Sequence, residues 1–314
     1  MYENIKHVYV FGLGAIGAKY ASMIYDVNPK SVHVIVDETR KVKYSAEGVY
    51  VNGKKYDFDY VNVPPKDHAV DLLILGVKSL NLAEAIEGIR DFVQENTVIL
   101  SLLNGIGTTQ ILNAELPNNP AIYSIVYMDA VKSGNQVTYG HRGKVVFGEA
   151  NNTSKSNRIL SLSTFFDRMH IAYEIPENMI LALWRKFLIN VVGNQLTYII
   201  NAGYEALQDN PYILNLVQAV GEEVIAIANA QGIALAKSDI DAMITTMRKI
   251  NPKAKTSMVQ DRQQNRSSEV EIFAGEMIKL GKQLHIYTPY NFMLYNLIKG
   301  YEFEHFERNY APII

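Results

Sequence analysis

The sequence predicts two domains in tandem, an α/β domain over residues 1–177 and an all-α domain over residues 178–314. Three observations carry that expectation. A β-type run at residues 7–11 opens directly into Gly12, Gly14 and Gly17 and then into a helical pattern. Short apolar strands and helical stretches alternate as far as Pro176, the arrangement that builds a parallel sheet covered by helices. Beyond Met179 nearly everything repeats with helical period.

Gly12, Leu13, Gly14, Ala15, Ile16 and Gly17 stand between the first strand and a helix over residues 18–25. That order holds a dinucleotide pyrophosphate. Gly12 permits the tight turn, Gly14 lets the backbone approach the phosphates, and Gly17 lets helix and strand pack closely. The anion rests on unpaired N–H groups at the positive end of the helix. The α/β domain is therefore read as Rossmann-type and dinucleotide-binding. Residues 31–36 form a second buried strand that ends in Asp37, where this fold hydrogen-bonds the adenosine ribose. A carboxylate there repels the 2′-phosphate of NADP, so Asp37 favours NAD. Arg40 reaches that phosphate if Asp37 turns away, and Asp37-Glu38-Thr39 also suits a plain cap of the next turn.

Residues 48–60 alternate around Asn52-Gly53, a hairpin signal, and are expected as an antiparallel excursion from the main sheet. Residues 71–77 and 97–103 are continuous apolar strands with a helical stretch over 81–92 between them. Lys78 and Asn104 follow these strands directly, at the sheet edge where ligands bind. A lysine there meets phosphate or nicotinamide ribose, and an asparagine amide holds the nicotinamide side or polarises a carbonyl. A solvated lysine and an asparagine chosen for a left-handed turn before Gly105 fit the same pattern. Strands at 122–131, 136–140 and 144–147, a helix at 158–169 and a strand at 171–174 complete the domain.

The first long helix of the second domain contains residues 184–194, and Lys186, Asn190 and Asn194 fall at i, i+4 and i+8 on one face. Apolar residues surround this stripe, among them Phe187, Leu188, Val191 and Val192. A buried helix carrying a lysine and two amides needs partners for them. Either it lines a wet cavity, or the amides bond across a helix contact.

Composition narrows the function class. At 48% hydrophobic, 20% charged and a net charge of −2, the chain offers no general attraction for nucleic acid or an anionic membrane. The absence of cysteine excludes disulfides, thiolate nucleophiles and Cys-ligated zinc, and no metal site is expected. The N-terminal residues do not resemble a signal peptide, and no apolar run approaches a membrane span, so a cytoplasmic protein is expected. Phe273, Met277, Tyr287, Phe292, Met293 and Tyr295 supply apolar positions for a homodimer, although such spacing also suits a core.

Across essentially its whole length the sequence resembles the ketopantoate reductase family. The resemblance is carried by the glycine turn, Val77-Lys78-Ser79, Asn104-Gly105, residues 184–190 with Asn194-Gln195-Leu196-Thr197, Ser257-Met258 with Asp261, Ser268-Glu269 with Glu271 and Gly275, and Pro289-Tyr290-Asn291. It implies a small 2-oxo acid as substrate and 2-hydroxy acid as product. It further implies that Lys186 is the general acid as hydride reaches C2, with Glu269 near the carbonyl oxygen orienting it. Asn190 and Asn194 then bind the substrate's polar groups, Ser257 its carboxylate, and Lys78 and Asn104 bridge cofactor and substrate. The chain departs from the family pattern in four places. Many members carry Arg where this chain has Asp37, which puts their usual NADPH preference in doubt and leaves NAD as the expected cofactor, with NADP as the alternative. Gln195 replaces a small residue or proline. Tyr204 stands near a substrate-contacting Asn of some members and favours a branched or aromatic 2-oxo acid. Ala274 replaces an Asn before Gly275.

Overall fold

A computed structural model describes residues 4–140 and 143–307. The chain divides into two compact units, Met1–Ile180 and Leu181–Ile314.

The first unit runs β1 (Val8–Phe11), α1 (Ala15–Val27), β2 (Val32–Ile35), α2 (Glu38–Glu47), β3 (Val49–Val51), β4 (Lys54–Tyr56), β5 (Asp59–Val61) and β6 (Leu72–Leu75). It continues through α3 (Leu82–Ile89), β7 (Val98–Ser101), α4 (Thr108–Glu115), β8 (Tyr123–Tyr127), β9 (Ala130–Ser133), β10 (Gln136–Tyr139), β11 (Lys144–Gly148), α5 (Asn157–Arg168) and β12 (Tyr173–Glu174). Five parallel strands in the order β5-β2-β1-β6-β7 form the main sheet. Alternation along β1 builds its two cores. Val8 and Val10 pack with Ala18, Ile24 and Val34, whereas Tyr9 and Phe11 pack with Leu73, Leu75, Ile86 and Ile99. The chain first winds outward from β1 to β2 and β5, then returns to β6 on the other side. The reversal between β1 and β6 is a topological switch point, and its carboxyl end carries the glycine turn.

Two expectations for this unit change. The Asn52-Gly53 hairpin forms, with φ of 48° and 80°, but it pairs with β10 and β9 in a separate four-stranded sheet, while β5 joins the main sheet beside β2. The stretch at 122–131 breaks into β8 and β9 in different sheets. Alternating residues mark a strand but do not say which edge it joins.

The second unit contains α6 (Met179–Ile189, entered from the first unit), a π-helical turn (Asn190–Asn194), α7 (Gln195–Ile200), α8 (Pro211–Ala230), α9 (Lys237–Met247), α10 (Ser257–Gln263), α11 (Ala274–Leu284) and α12 (Pro289–Glu302). It is all helical. Contrary to the expectation that no apolar run reaches span length, α8 has 20 residues at a mean hydropathy of 1.3. It is a core helix: Ile213, Val217, Val220, Val224 and Ile227 are buried. Its Glu223, also buried, accepts hydrogen bonds from the backbone N–H groups of Tyr290 (2.7 Å) and Asn291 (3.0 Å) and so caps α12. Phe273 and Met277 are fully buried, whereas Tyr287, Phe292 and Met293 are exposed and Tyr295 is half-buried.

Candidate active site

In the first unit the glycine turn is built from backbone contact. Gly12 holds φ +94°, and a Cβ on Gly17 would lie 1.9 Å from the Gly12 carbonyl oxygen. Gly76, at the end of β6, closes the other side, since a Cβ there would lie 2.6 Å from the Gly17 Cα. Only hydrogen fits at 17 and 76. Gly14 is the N-cap of α1 and no side chain caps the helix, which leaves the first-turn N–H groups as donors for an anion. The residues thus suit a dinucleotide pyrophosphate. Lys132 on β9 donates to the Leu13 carbonyl at 2.6 Å and ties the turn in place. Burial, and then Lys43, lower the pKa of its ammonium. Sequence reasoning missed Lys132 because 119 residues separate it from Leu13.

Asp37 sits just past β2, as the motif requires, but its carboxylate has local work. One oxygen accepts the Arg40 backbone N–H at 2.6 Å and caps α2. The other lies 3.3 Å from the Arg40 guanidinium, which also reaches Glu84 at 3.2 Å. Both residues are about half exposed. The capping reading of this segment therefore holds, and the Arg40 guanidinium is engaged by Asp37 and Glu84. Lys78 and Asn104 are half-buried, just beyond β6 and β7. The left-handed conformation falls on Gly105 (φ +96°), not on Asn104, so the turn does not account for the asparagine.

The second unit carries Lys186, Asn190 and Asn194 along one continuous run, but the helix is not uniform. From Asn190 it widens into a π turn, a feature that needs an inserted residue and is found mostly at functional sites. Four α-helical residues overshoot one turn and four π-helical residues fall short of it. The drift from Lys186 to Asn190 is therefore reversed from Asn190 to Asn194, and the three groups stay closer in line than α spacing allows. Side chains one turn on bond back to carbonyls of the widened turn. Gln195 donates to the Val191 carbonyl at 2.7 Å, and Thr197 to the Gly193 carbonyl at 2.7 Å. Gln195 is fully buried and also meets Asn291 Oδ1 at 3.5 Å, while the Asn291 amide donates to Glu223 at 2.7 Å. This explains the departure at Gln195: it is a support of the π turn. Periodicity could not show it, because a π turn has no local signature.

Asn190 and Asn194 are buried, and the Asn194 amide donates to Ser257 Oγ at 3.3 Å. Ser257 is exposed at the start of α10, and beneath it Thr256 bonds Thr197 at 2.9 Å, so α10 and the π turn are locked together. Asp261 forms an ion pair with Arg266 at 2.8 Å, which gives it a structural role. Glu269 is buried beside Ser268, whose N–H donates to Glu302 at 2.7 Å. Lys186 keeps partial surface exposure, yet burial pulls its ammonium down to about 8. An acid with that pKa gives up a proton readily near neutral pH.

Comparison with known proteins fits this arrangement. The family model described as ketopantoate reductase PanE/ApbA matches residues 8–152, and that for the ketopantoate reductase PanE/ApbA C terminal matches residues 178–302. The chain is 28% identical over 301 residues to a 2-dehydropantoate 2-reductase of Pyrococcus horikoshii, covering 94% of this chain and 97% of that protein. The crystal structure of 2-dehydropantoate 2-reductase from Methylococcus capsulatus superposes with a TM-score of 0.82 at 22% identity, over 98% of this chain and 99% of that one. The ternary structure of D-mandelate dehydrogenase with NADH and anilino(oxo)acetate gives 0.83 at 22% identity, over 95% and 99%.

Proposed function

The chain belongs to the ketopantoate reductase family of oxidoreductases, and on that premise we propose that it reduces the C2 carbonyl of a branched 2-oxo acid to the D (R) 2-hydroxy acid, with NADH preferred. The observation that carries this reading is Lys186, its pKa lowered to about 8, in line with Asn190 and Asn194 on a helix locked to Ser257.

A nicotinamide dinucleotide held at the glycine turn supplies the hydride. The chain's own groups do the rest. Gly12, Leu13, Gly14, Ala15, Ile16 and Gly17 would present backbone to its pyrophosphate, Asp37 would hold its ribose, and Lys78 and Asn104 would orient its nicotinamide end. Asn190, Asn194 and Ser257 hold the substrate's polar groups and carboxylate. Lys186 stabilises charge growing on the carbonyl oxygen and then donates its proton there, while Glu269 keeps the ammonium oriented. A compact ammonium with an adjustable pKa suits this acid role better than a guanidinium. Tyr204 favours a branched or aromatic acid, and the D-mandelate dehydrogenase likeness is in keeping with that choice. We place the reaction, one of small water-soluble metabolites, in the cytoplasm.

A second reading is supported by Arg40. Its guanidinium lies beside Asp37 and would meet a 2′-phosphate once Asp37 turned away, which fits an NADPH-dependent 2-dehydropantoate 2-reductase of pantothenate and coenzyme A biosynthesis. Steady-state rates with ketopantoate, 2-oxoisovalerate and phenylglyoxylate, each with NADH and NADPH, separate the two. A hundredfold preference for NADPH with ketopantoate overturns the first. The homodimer rests on exposed Tyr287, Phe292 and Met293. Light scattering at micromolar concentration is expected to give twice the chain mass, and a monomer mass removes it.

A further inference from the structure

Three histidines converge at the amino end of the main sheet, opposite the edge that carries the glycine turn. His7 immediately precedes β1, His33 lies in β2, and His68 lies on the segment leading into β6. One ring nitrogen from each lies within 4.8 Å of the other two. His7 Nδ1 and His33 Nε2 are 3.4 Å apart, close to the nitrogen–nitrogen edge of a tetrahedron whose centre is about 2.0–2.1 Å from each ligand.

Two of the rings are held by carboxylates. His33 Nδ1 bonds Asp59 at 2.7 Å and His68 Nδ1 bonds Asp67 at 2.9 Å. A ring that donates Nδ1–H to a carboxylate presents Nε2 as a lone pair and gains basicity there, the usual support behind a metal-binding imidazole. Asp71 anchors the third through the His7 backbone N–H at 2.8 Å. Nothing in the proposed reductase chemistry uses these residues.

We infer that His7, His33 and His68 form a site for one divalent transition-metal ion of the imidazole-preferring class, Zn2+, Ni2+ or Cu2+, with a fourth position open to water. The rings now stack, His7 on His68 at 3.9 Å between centroids, and His68 Nε2 meets the Tyr9 hydroxyl at 2.9 Å. Binding therefore turns His68 away from Tyr9, and His68 lies outside the strands, on the segment leading into β6. The ion ties the starts of β1 and β2 to the entry of β6, so its role is to brace the sheet.

Tag-free full-length protein, stripped with a chelator, is titrated with zinc chloride by calorimetry and melted with and without the ion. One equivalent is expected, together with a rise in Tm. Affinity is expected to fall about 100-fold in His68→Ala and about tenfold in Asp67→Asn, which keeps all three ligands and removes only the supporting carboxylate. Cu2+ in place of Zn2+ is expected to show a visible spectrum of nitrogen ligation that His68→Ala loses. The absence of any binding tighter than about 100 µM overturns the site. So does binding that His68→Ala and His33→Ala leave unchanged, because it would belong to other histidines.

Discussion

The glycine turn after β1 and the π turn after α6 both carry residues of the proposed site, but they are made of different material. The first is backbone against backbone. Gly17 and Gly76 are there because a Cβ would lie 1.9 Å and 2.6 Å from main-chain atoms. The second is a side-chain assembly, in which Gln195 and Thr197 bond back to carbonyls of the widened turn and Asn194 reaches Ser257 across 63 residues of sequence. A backbone site tolerates no substitution at its contact points. A side-chain site can be taken apart one function at a time.

The largest expected effect lies in the second region. Lys186→Ala should lower reductive turnover about 10²–10⁴-fold while leaving NADH affinity nearly unchanged, as measured by steady-state rates and fluorescence titration. Lys186→Met should show the same loss without lowering Tm. With a folded pKa near 8 against an ordinary 10.5, the unfolded chain binds more protons between those values, so this lysine's contribution to stability rises with pH there and is unfavourable at neutrality. A lowered Tm in the methionine variant would show that Lys186 also holds the fold together.

Gly17→Ala is expected to act on the first region as a whole. The added methyl meets the Gly12 carbonyl, costs about 1–3 kcal/mol of stability and pushes α1 off β1, so Tm and NADH affinity fall together. Gln195→Ala should cost about 1–3 kcal/mol by leaving the buried Val191 carbonyl unpaired, with turnover reduced and NADH binding intact. Smallest is Asp37→Asn. Asparagine caps a helix as well as aspartate does, so Tm should hold while the NADH-over-NADPH ratio falls. An unchanged ratio would assign Asp37 to capping alone.

The same contrast explains what could be read from the sequence. The Rossmann-type unit, its glycine turn and the all-α unit were legible, because a strand period of two, a helical period and obligatory glycines are local properties. Lys186, Asn190 and Asn194 were placed on one helix by spacing alone. The π turn beneath them, Lys132 on the Leu13 carbonyl and the Glu223–Asn291–Gln195 chain of hydrogen bonds were not, since each depends on a partner between 68 and 119 residues away or on a distortion that leaves no periodic trace. The assignment of β3, β4 and β5 to sheets failed for a related reason: pleat alternation fixes which face a residue takes but not which strand lies alongside.

The central claim is that Lys186 donates the proton, and the pH dependence of kcat/KM for 2-oxo acid reduction tests it most directly. The ammonium must be protonated in the free enzyme, so kcat/KM should be level below pH 8 and fall tenfold per unit above it. A profile that stays flat to pH 10 contradicts the assignment.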